Sequence, residues 1–347
     1  MLPMLRAAAS CTTLVLLAAC AGGGNGAGGS SVPRGPGAVH ATRTAQSVVS
    51  LGHYNVDWTN VVVAGISSGA DMASQLHYAH SSQIKGEAIF AGAPFFCAQD
   101  NATIAIDDCE YTYGPISLST LETDTNNAAA EGYLDPVADL KGEKAWIFSG
   151  TADTVVAQSV VKDANTMLQH YSVTTTTNFT TAAEHGWVTP DVSSACGSLN
   201  SNYLINCGFD AEQQFLTTFF GTLSARNSGT LKGQLIQYSQ TPYAVAGLDS
   251  TGWIFVPSNC ASGSKCKMVV ALHGCEQGQY WIGTTFVKDS GLNEWADTNS
   301  IIVLYPQAVP SAGNSLGCWD WWGFDGSDYA SKPGLELNAI WKMMQQV

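Results

Sequence analysis

The pentapeptide Gly65-Ile66-Ser67-Ser68-Gly69 constrains this chain more than any other stretch. An apolar, β-branched run at 61–64 leads into it, and a helical pattern at 70–80 leads out. A serine between glycines at a sharp strand-to-helix turn presents its hydroxyl beyond the strand's end. The glycines let backbone pack where a Cβ would clash. The N-terminus of the following helix favours developing negative charge. A plain strand–turn–helix corner competes with this reading, but the flanking elements favour Ser67 as a nucleophile.

Such a serine needs a base, and the base needs an orienting carboxylate. The histidines downstream of Ser67 are His77, His80, His170, His185 and His273. The first two sit on the helix after the nucleophile, and His170 ends a helical pattern. His185 lies in Glu184-His185-Gly186, a loop signal after the run 173–179, where a base at a strand's carboxyl end is expected. Asp153 follows the run 145–148 in Ser149-Gly150-Thr151-Ala152-Asp153-Thr154 and is the expected acid. A helix-capping role competes for Asp153, and Asp191 is a weaker substitute.

Further buried-strand patterns fall at 86–90, 268–272 and 301–305, with helical patterns at 159–171, 211–223, 291–298 and 335–346. This alternation predicts an α/β fold with a mainly parallel central sheet flanked by helices. The runs 232–238 and 252–257 fit an antiparallel pair at one sheet edge. After 268–272 comes His273-Gly274-Cys275, the type of loop that gives an α/β-hydrolase its second oxyanion donor. That loop ordinarily precedes the nucleophile, whereas here it lies far downstream. Splicing Val347 onto Val56-Asp57 would restore the usual order, so a single-domain, circularly permuted α/β-hydrolase is expected. The oxyanion donors would be the backbone N–H groups of Ser68 and Cys275.

The N-terminus reads as an address. Arg6 precedes a short apolar stretch, 7–19, too short to span a bilayer. Leu17-Ala18-Ala19-Cys20 resembles a bacterial lipoprotein box, so residues 1–19 are expected to be a signal peptide and Cys20 to be lipidated. An ordinary signal peptide is the alternative. A Gly, Ser and Pro-rich tether follows to residue 45, then one catalytic domain over 46–347. The expected location is the bacterial outer membrane, held by the Cys20 anchor, or the exterior. Eight cysteines remain, and eight allow 105 pairings. Sequence proximity favours Cys97–Cys109, Cys196–Cys207 and Cys260–Cys266, leaving Cys275–Cys318. An exported context favours disulfides over zinc, and no CxxC pair is present. The net charge of −14 argues against nucleic-acid binding and polybasic membrane docking.

Trp319, Trp321, Trp322 and Phe324 cluster beside Cys318. Large amphipathic rings suit contact with a substrate at a water interface, although core packing is expected for one or two of the tryptophans.

Taken together, Gly65–Gly69, Ser149–Val155, His185, Leu223-Ser224-Ala225-Arg226-Asn227, His273–Cys275, Trp295-Ala296-Asp297-Thr298-Asn299, Leu304–Pro310 and Cys318-Trp319-Asp320-Trp321 resemble one family. They are similar, in the same order, to the circularly permuted extracellular poly(3-hydroxybutyrate) depolymerases of the fungal single-domain type. The resemblance implies a triad of Ser67, Asp153 and His185, oxyanion donors at Ser68 and Cys275, and polymer contact by Trp321. Trp319 is the second candidate for substrate contact. The expected reaction is hydrolysis of a polyester or oligoester, with no cofactor, metal or obligate protein partner. One alternative is a hydrolase of oxidised polyvinyl alcohol, a β-diketone. Those relatives tend to carry Ser at the first motif position, so Gly65 leans towards the polyester. A non-catalytic polymer-binding lipoprotein is the remaining alternative.

Overall fold

The computed structural model describes residues 47–347. The leader, the lipidation at Cys20 and the tether lie outside the described residues. The domain is built on an eight-stranded sheet. In chain order the strands are β1 (Val56–Ile66), β2 (Gly86–Phe90), β3 (Lys144–Phe148), β4 (Thr174–Asn178), β7 (Gln234–Ser239), β8 (Thr251–Val256), β9 (Cys266–Leu272) and β10 (Ile301–Tyr305). Two short strands, β5 (Trp187–Val188) and β6 (Leu204–Ile205), form a separate parallel pair. The spatial order is β4-β3-β2-β1-β9-β10-β8-β7. The first six of these run parallel, and β8 and β7 complete one edge antiparallel. This is the mainly parallel α/β architecture that the alternating pattern predicts.

The continuous apolar runs have a direct cause. Both faces of the central strands are covered, so every side chain must be buried. Val61 and Val63 of β1 join Met268, Val270 and Leu272 of β9 in one core cluster. Val62 and Ala64 join Val269 and Ala271 in the other. The helices Ser68–Ala79 and Leu335–Gln346 contribute Met72, Leu76, Ile340 and Met344 to the first cluster. The helices Ala211–Phe220 and Leu292–Asn299 contribute Phe215 and Trp295 to the second. Fully burying such a side chain stabilises by about 1.5–3 kcal/mol. At the opposite edge, β4 is the polar run Thr-Thr-Thr-Thr-Asn. β-Branched yet polar residues suit a strand with one open edge.

Register then positions the chemistry. Gly65 of β1 pairs with Leu272 of β9, so Ser67 and Gly274 emerge side by side at the carboxyl ends of two neighbouring strands. Ile66 pairs with Phe90, and Phe90 with Phe148, so the loop after β3 rises on the same side. The Tyr54 N–H donates to the Val347 carbonyl at 2.5 Å, and His53 Nδ1 lies 3.0 Å from the Gln346 carbonyl.

Several elements differ from the sequence expectation, and three are instructive. β1 begins at Val56 rather than Val61; Asp57, Thr59 and Asn60 interleave with Val56 and Trp58 in its part-buried to exposed first five residues and hide the pattern. The helix Leu118–Ala130 buries only Leu121 and Thr125, too little to leave an apolar stripe. The helix expected over 211–223 stops at Phe220, where Gly221 turns with φ 75°. Among the described residues, no helix is long and apolar enough to cross a membrane.

Candidate active site

Ser67 sits between β1 and its helix with φ 56° and ψ −129°. A non-glycine residue there is strained, and the surroundings must hold it. Its N–H donates to the Phe90 carbonyl at 2.9 Å, and its own carbonyl accepts from Ala70 and Asp71 at 2.8 and 3.1 Å. The flanking glycines are required by contact. A Cβ on Gly65 would lie 2.0 Å from the Gly69 carbonyl oxygen, and one on Gly69 would lie 2.3 Å from that of His273. The turn is thus pressed against the end of β9.

Asp153 and His185 meet across two loops. His185 Nδ1 lies 3.0 Å from Asp153 Oδ2, and the two side chains are 3% and 1% exposed. Asp153 Oδ1 accepts from the N–H groups of Val155 and Val156 at 2.9 and 2.8 Å, which fixes the carboxylate. Glu184 braces the pair. Its carboxylate accepts from the His185 N–H at 2.7 Å and from the Thr154 N–H and hydroxyl at 3.1 and 2.6 Å. Sequence reasoning gave Glu184 no role; its adjacency to His185 was the only signal. The Tyr203 ring meets the imidazole edge-on at 6.0 Å.

The other histidines are engaged elsewhere. His77 is buried between Glu87 and Glu143. His80 stacks on Trp341 at 3.8 Å, and His170 pairs with Glu122. His273 is fully buried, and burial pushes it down to about 4. Its Nε2 accepts from the Ala308 N–H at 3.0 Å, so the proton belongs on Nδ1, 2.7 Å from the Gly274 carbonyl. It shapes the loop and has no free nitrogen. Asp191 is ion-paired with Arg226 and takes no part in the His185 pair.

Ser67 and His185 line one cavity of about 450 Å³, without a direct hydrogen bond between them. Gly274, Cys275, Trp321 and Trp322 also line it. Among the described residues, the backbone N–H groups of Ser68 and Cys275 donate to nothing. Two unspent donors therefore stand beside the Ser67 turn.

All eight cysteines of the domain are paired, as Cys97–Cys109, Cys196–Cys207, Cys260–Cys266 and Cys275–Cys318. The last bond ties the His-Gly-Cys loop to the tryptophan segment. There one expectation needs correction. Trp319 does not face the cavity: it is 0% exposed, its indole N–H donates to the His273 carbonyl at 2.9 Å, and its backbone N–H donates to the Ser68 hydroxyl at 3.3 Å. Its bulk and N–H are spent on supporting the two loops from below. Trp321 is the neighbour that lines the cavity. Among the described residues, no group of His, Cys, Asp and Glu could hold a metal ion.

A polyhydroxybutyrate depolymerase of Talaromyces funiculosus is 35% identical over 321 residues, covering 87% of this chain and 93% of that protein. The chain belongs to the polyhydroxybutyrate depolymerase family. A poly(3-hydroxybutyrate) depolymerase of Delftia acidovorans is 39% identical over 320 residues, covering 90% of this chain. The chain spans 63% of that relative's length. Two solved structures match with a TM-score of 0.79 and 34% identity, each covering 86% of this chain and 98% of theirs. One is a depolymerase of this family from Penicillium funiculosum. The other is a serine-to-alanine variant of such a depolymerase complexed with an R3HB trimer. No family model matches the chain.

Proposed function

We propose that this chain is a serine esterase that hydrolyses poly(3-hydroxybutyrate) or its oligomers. One observation carries the reading: His185, held by Asp153 at 3.0 Å, lines the same cavity as the strained Ser67. The relatives' substrates, named above, supply the substrate class.

In this reading Ser67 Oγ attacks the ester carbonyl as His185 Nε2 takes its proton. Asp153 holds the imidazole in the required tautomer and stabilises its cation. The Ser68 and Cys275 N–H groups receive the tetrahedral oxyanion, worth roughly 3–4 kcal/mol per donor. His185 then protonates the alcohol leaving group. Water activated by the same imidazole releases the hydroxy acid and frees Ser67. Trp321 forms part of the wall along which the polyester lies. Exposed Ile106, Tyr111 and Leu316 rim the mouth, and apolar side chains there suit a solid polymer surface.

The topology supports a circular permutation. The strand leading to His273-Gly274-Cys275 packs beside β1, yet follows it by some two hundred residues in the chain (β1 ends at Ile66, β9 begins at Cys266). The Tyr54–Val347 contact places the entry to β1 beside the end of the helix Leu335–Gln346. Four disulfides fit an exported protein. Lipidation of Cys20 rests on the Leu17-Ala18-Ala19-Cys20 box, and loss of palmitate labelling in Cys20→Ala would test it.

Hydrolysis of an oxidised polyvinyl alcohol is the second reading. Gly65 leans modestly against it, because hydrolases of that substrate tend to carry Ser at this position. Clearing of a poly(3-hydroxybutyrate) suspension by wild type but not by Ser67→Ala tests the first reading. If neither the suspension nor a soluble trimer is cut while a fluorophosphonate still labels Ser67, the polyester assignment fails. Absence of labelling would favour a non-catalytic scaffold.

A further inference from the structure

The cavity carries a charged group that the ester mechanism does not use. Glu110 lines it together with Ser67 and His185. Its place is fixed on both sides. Cys109 is bonded to Cys97, and the Glu110 carbonyl accepts from the Ala157 N–H at 2.8 Å, which ties the segment to the loop after Asp153. Among the described residues, no hydrogen bond or ion pair reaches the Glu110 carboxyl; the charged group acting on it is His185. No Lys or Arg lines the cavity. The other ionisable lining groups are Tyr111, Tyr203 and Glu276, and Glu276 accepts from the Tyr203 hydroxyl at 3.1 Å. Behind Glu110, its charge acts on Asp71, a part-buried carboxyl that accepts from the Ala93 N–H at 2.7 Å.

A neutral polyester needs no such group, and part-burying an unpaired carboxyl costs stability. The sign of the charge suggests its use. Internal ester bonds are flanked by neutral ester units. A bond at the chain's acid end is flanked by a carboxylate, and each hydrolysis leaves a new carboxylate in the cavity. We propose that Glu110 is a specificity-determining residue that repels the substrate's carboxylate end, so that internal or capped ester bonds are cut in preference and the acid product is expelled. This rests on the esterase reading given above.

Burial pushes the Glu110 carboxyl up to about 7, against the opposing pull of His185. The repulsion is therefore present above that pH and fades below it, while the substrate's own carboxylate, with a pKa near about 4, stays ionised. Comparing two substrates on one enzyme cancels any pH effect on the machinery that both share.

The test measures kcat/KM for a 3-hydroxybutyrate trimer and for its methyl ester at about pH 6 and about pH 8. The proteins are wild type, Glu110→Gln and Glu110→Ala, with melting curves to verify folding. Wild type should prefer the methyl ester, more strongly at the higher pH. Both neutral variants should lose roughly fivefold of that preference at the higher pH, the scale of one like-charge contact across a partly solvated cleft. In wild type alone, raising the salt should shrink the preference. A preference unchanged by either variant and by salt overturns the proposal. If wild type cuts neither trimer, the polyester reading stands or falls on the suspension assay above. Mono-p-nitrophenyl succinate against p-nitrophenyl butyrate then reads the same discrimination, and an unchanged ratio in the variants overturns the role of Glu110 for any ester.

Discussion

His185 Nδ1 lies 3.0 Å from one oxygen of Asp153, and the other oxygen is held by the backbone N–H groups of Val155 and Val156. In Asp153→Asn the amide oxygen keeps the backbone contacts, and its –NH₂ turns towards His185. Nδ1 must then accept, which leaves the proton on Nε2, where it blocks the base. We expect kcat to fall by about 10⁴-fold, with little change in melting temperature. Steady-state kinetics beside a melting curve checks both, and a large loss of stability would contradict the assignment.

Gly65 tests the turn itself. A side chain there must displace the Gly69 carbonyl, which is 2.0 Å from where its Cβ would sit. Gly65→Ser should cost about 1–3 kcal/mol or more. It should also slow fluorophosphonate labelling of Ser67, because the strained turn moves. Labelling at the wild-type rate would show that the turn tolerates the side chain.

Trp319 and Trp321 are two residues apart and should behave differently. Trp321 lines the cavity, so Trp321→Ala should raise KM roughly tenfold, the scale of a binding hot spot. Trp319 is fully buried under the Ser68 and His273 loops. Trp319→Ala should cost about 3–5 kcal/mol of stability. Urea titration and kinetics on the two variants separate the roles, and equal effects on KM would contradict the distinction.

His77 makes stability depend on pH. Burial opposes its charge, but the hydrogen bond to Glu143 and the neighbouring Glu87 carboxylate outweigh that and raise it to about 9. The Glu143 contact is 2.6 Å, and the Glu87 contact, at 3.4 Å, is an ion-pair distance. The fold thus binds this proton more tightly than the unfolded chain, where a histidine titrates near about 6.5. Its stabilisation is complete below that value and is lost as pH rises through about 9. His77→Gln should be destabilised by about 3–5 kcal/mol near pH 6, because Glu87 is left buried without a cation. The gap to wild type should narrow in alkali. A gap constant from pH 6 to about 10 in urea unfolding would contradict this.

Much of the molecule was legible in the sequence, for local reasons. Strands buried on both faces are apolar at every position, so 61–64 and 268–272 announce themselves. The Ser67 turn carries its own glycines, Gly65 and Gly69. What stayed hidden depends on contacts between distant segments. The small pair β5 and β6 has two residues per strand, too few for any periodicity. Glu184 acquires its bracing contacts only when the Thr154 and His185 loops meet. Trp319 and Trp321 share one motif, and only the fold turns one inward and the other to the cavity. Glu110 sits in a segment, held by Cys97–Cys109, whose sequence gives no sign that it borders Ser67.

The most direct measurement is to quench a reaction with 3-hydroxybutyrate trimer in acid within milliseconds and locate any acyl group by peptide mass spectrometry. The account predicts one or more 3-hydroxybutyryl units on the peptide that contains Ser67, absent in Ser67→Ala, and accumulating when His185→Ala is given an activated ester. An acyl group on another residue, or turnover undiminished in Ser67→Ala, would contradict it.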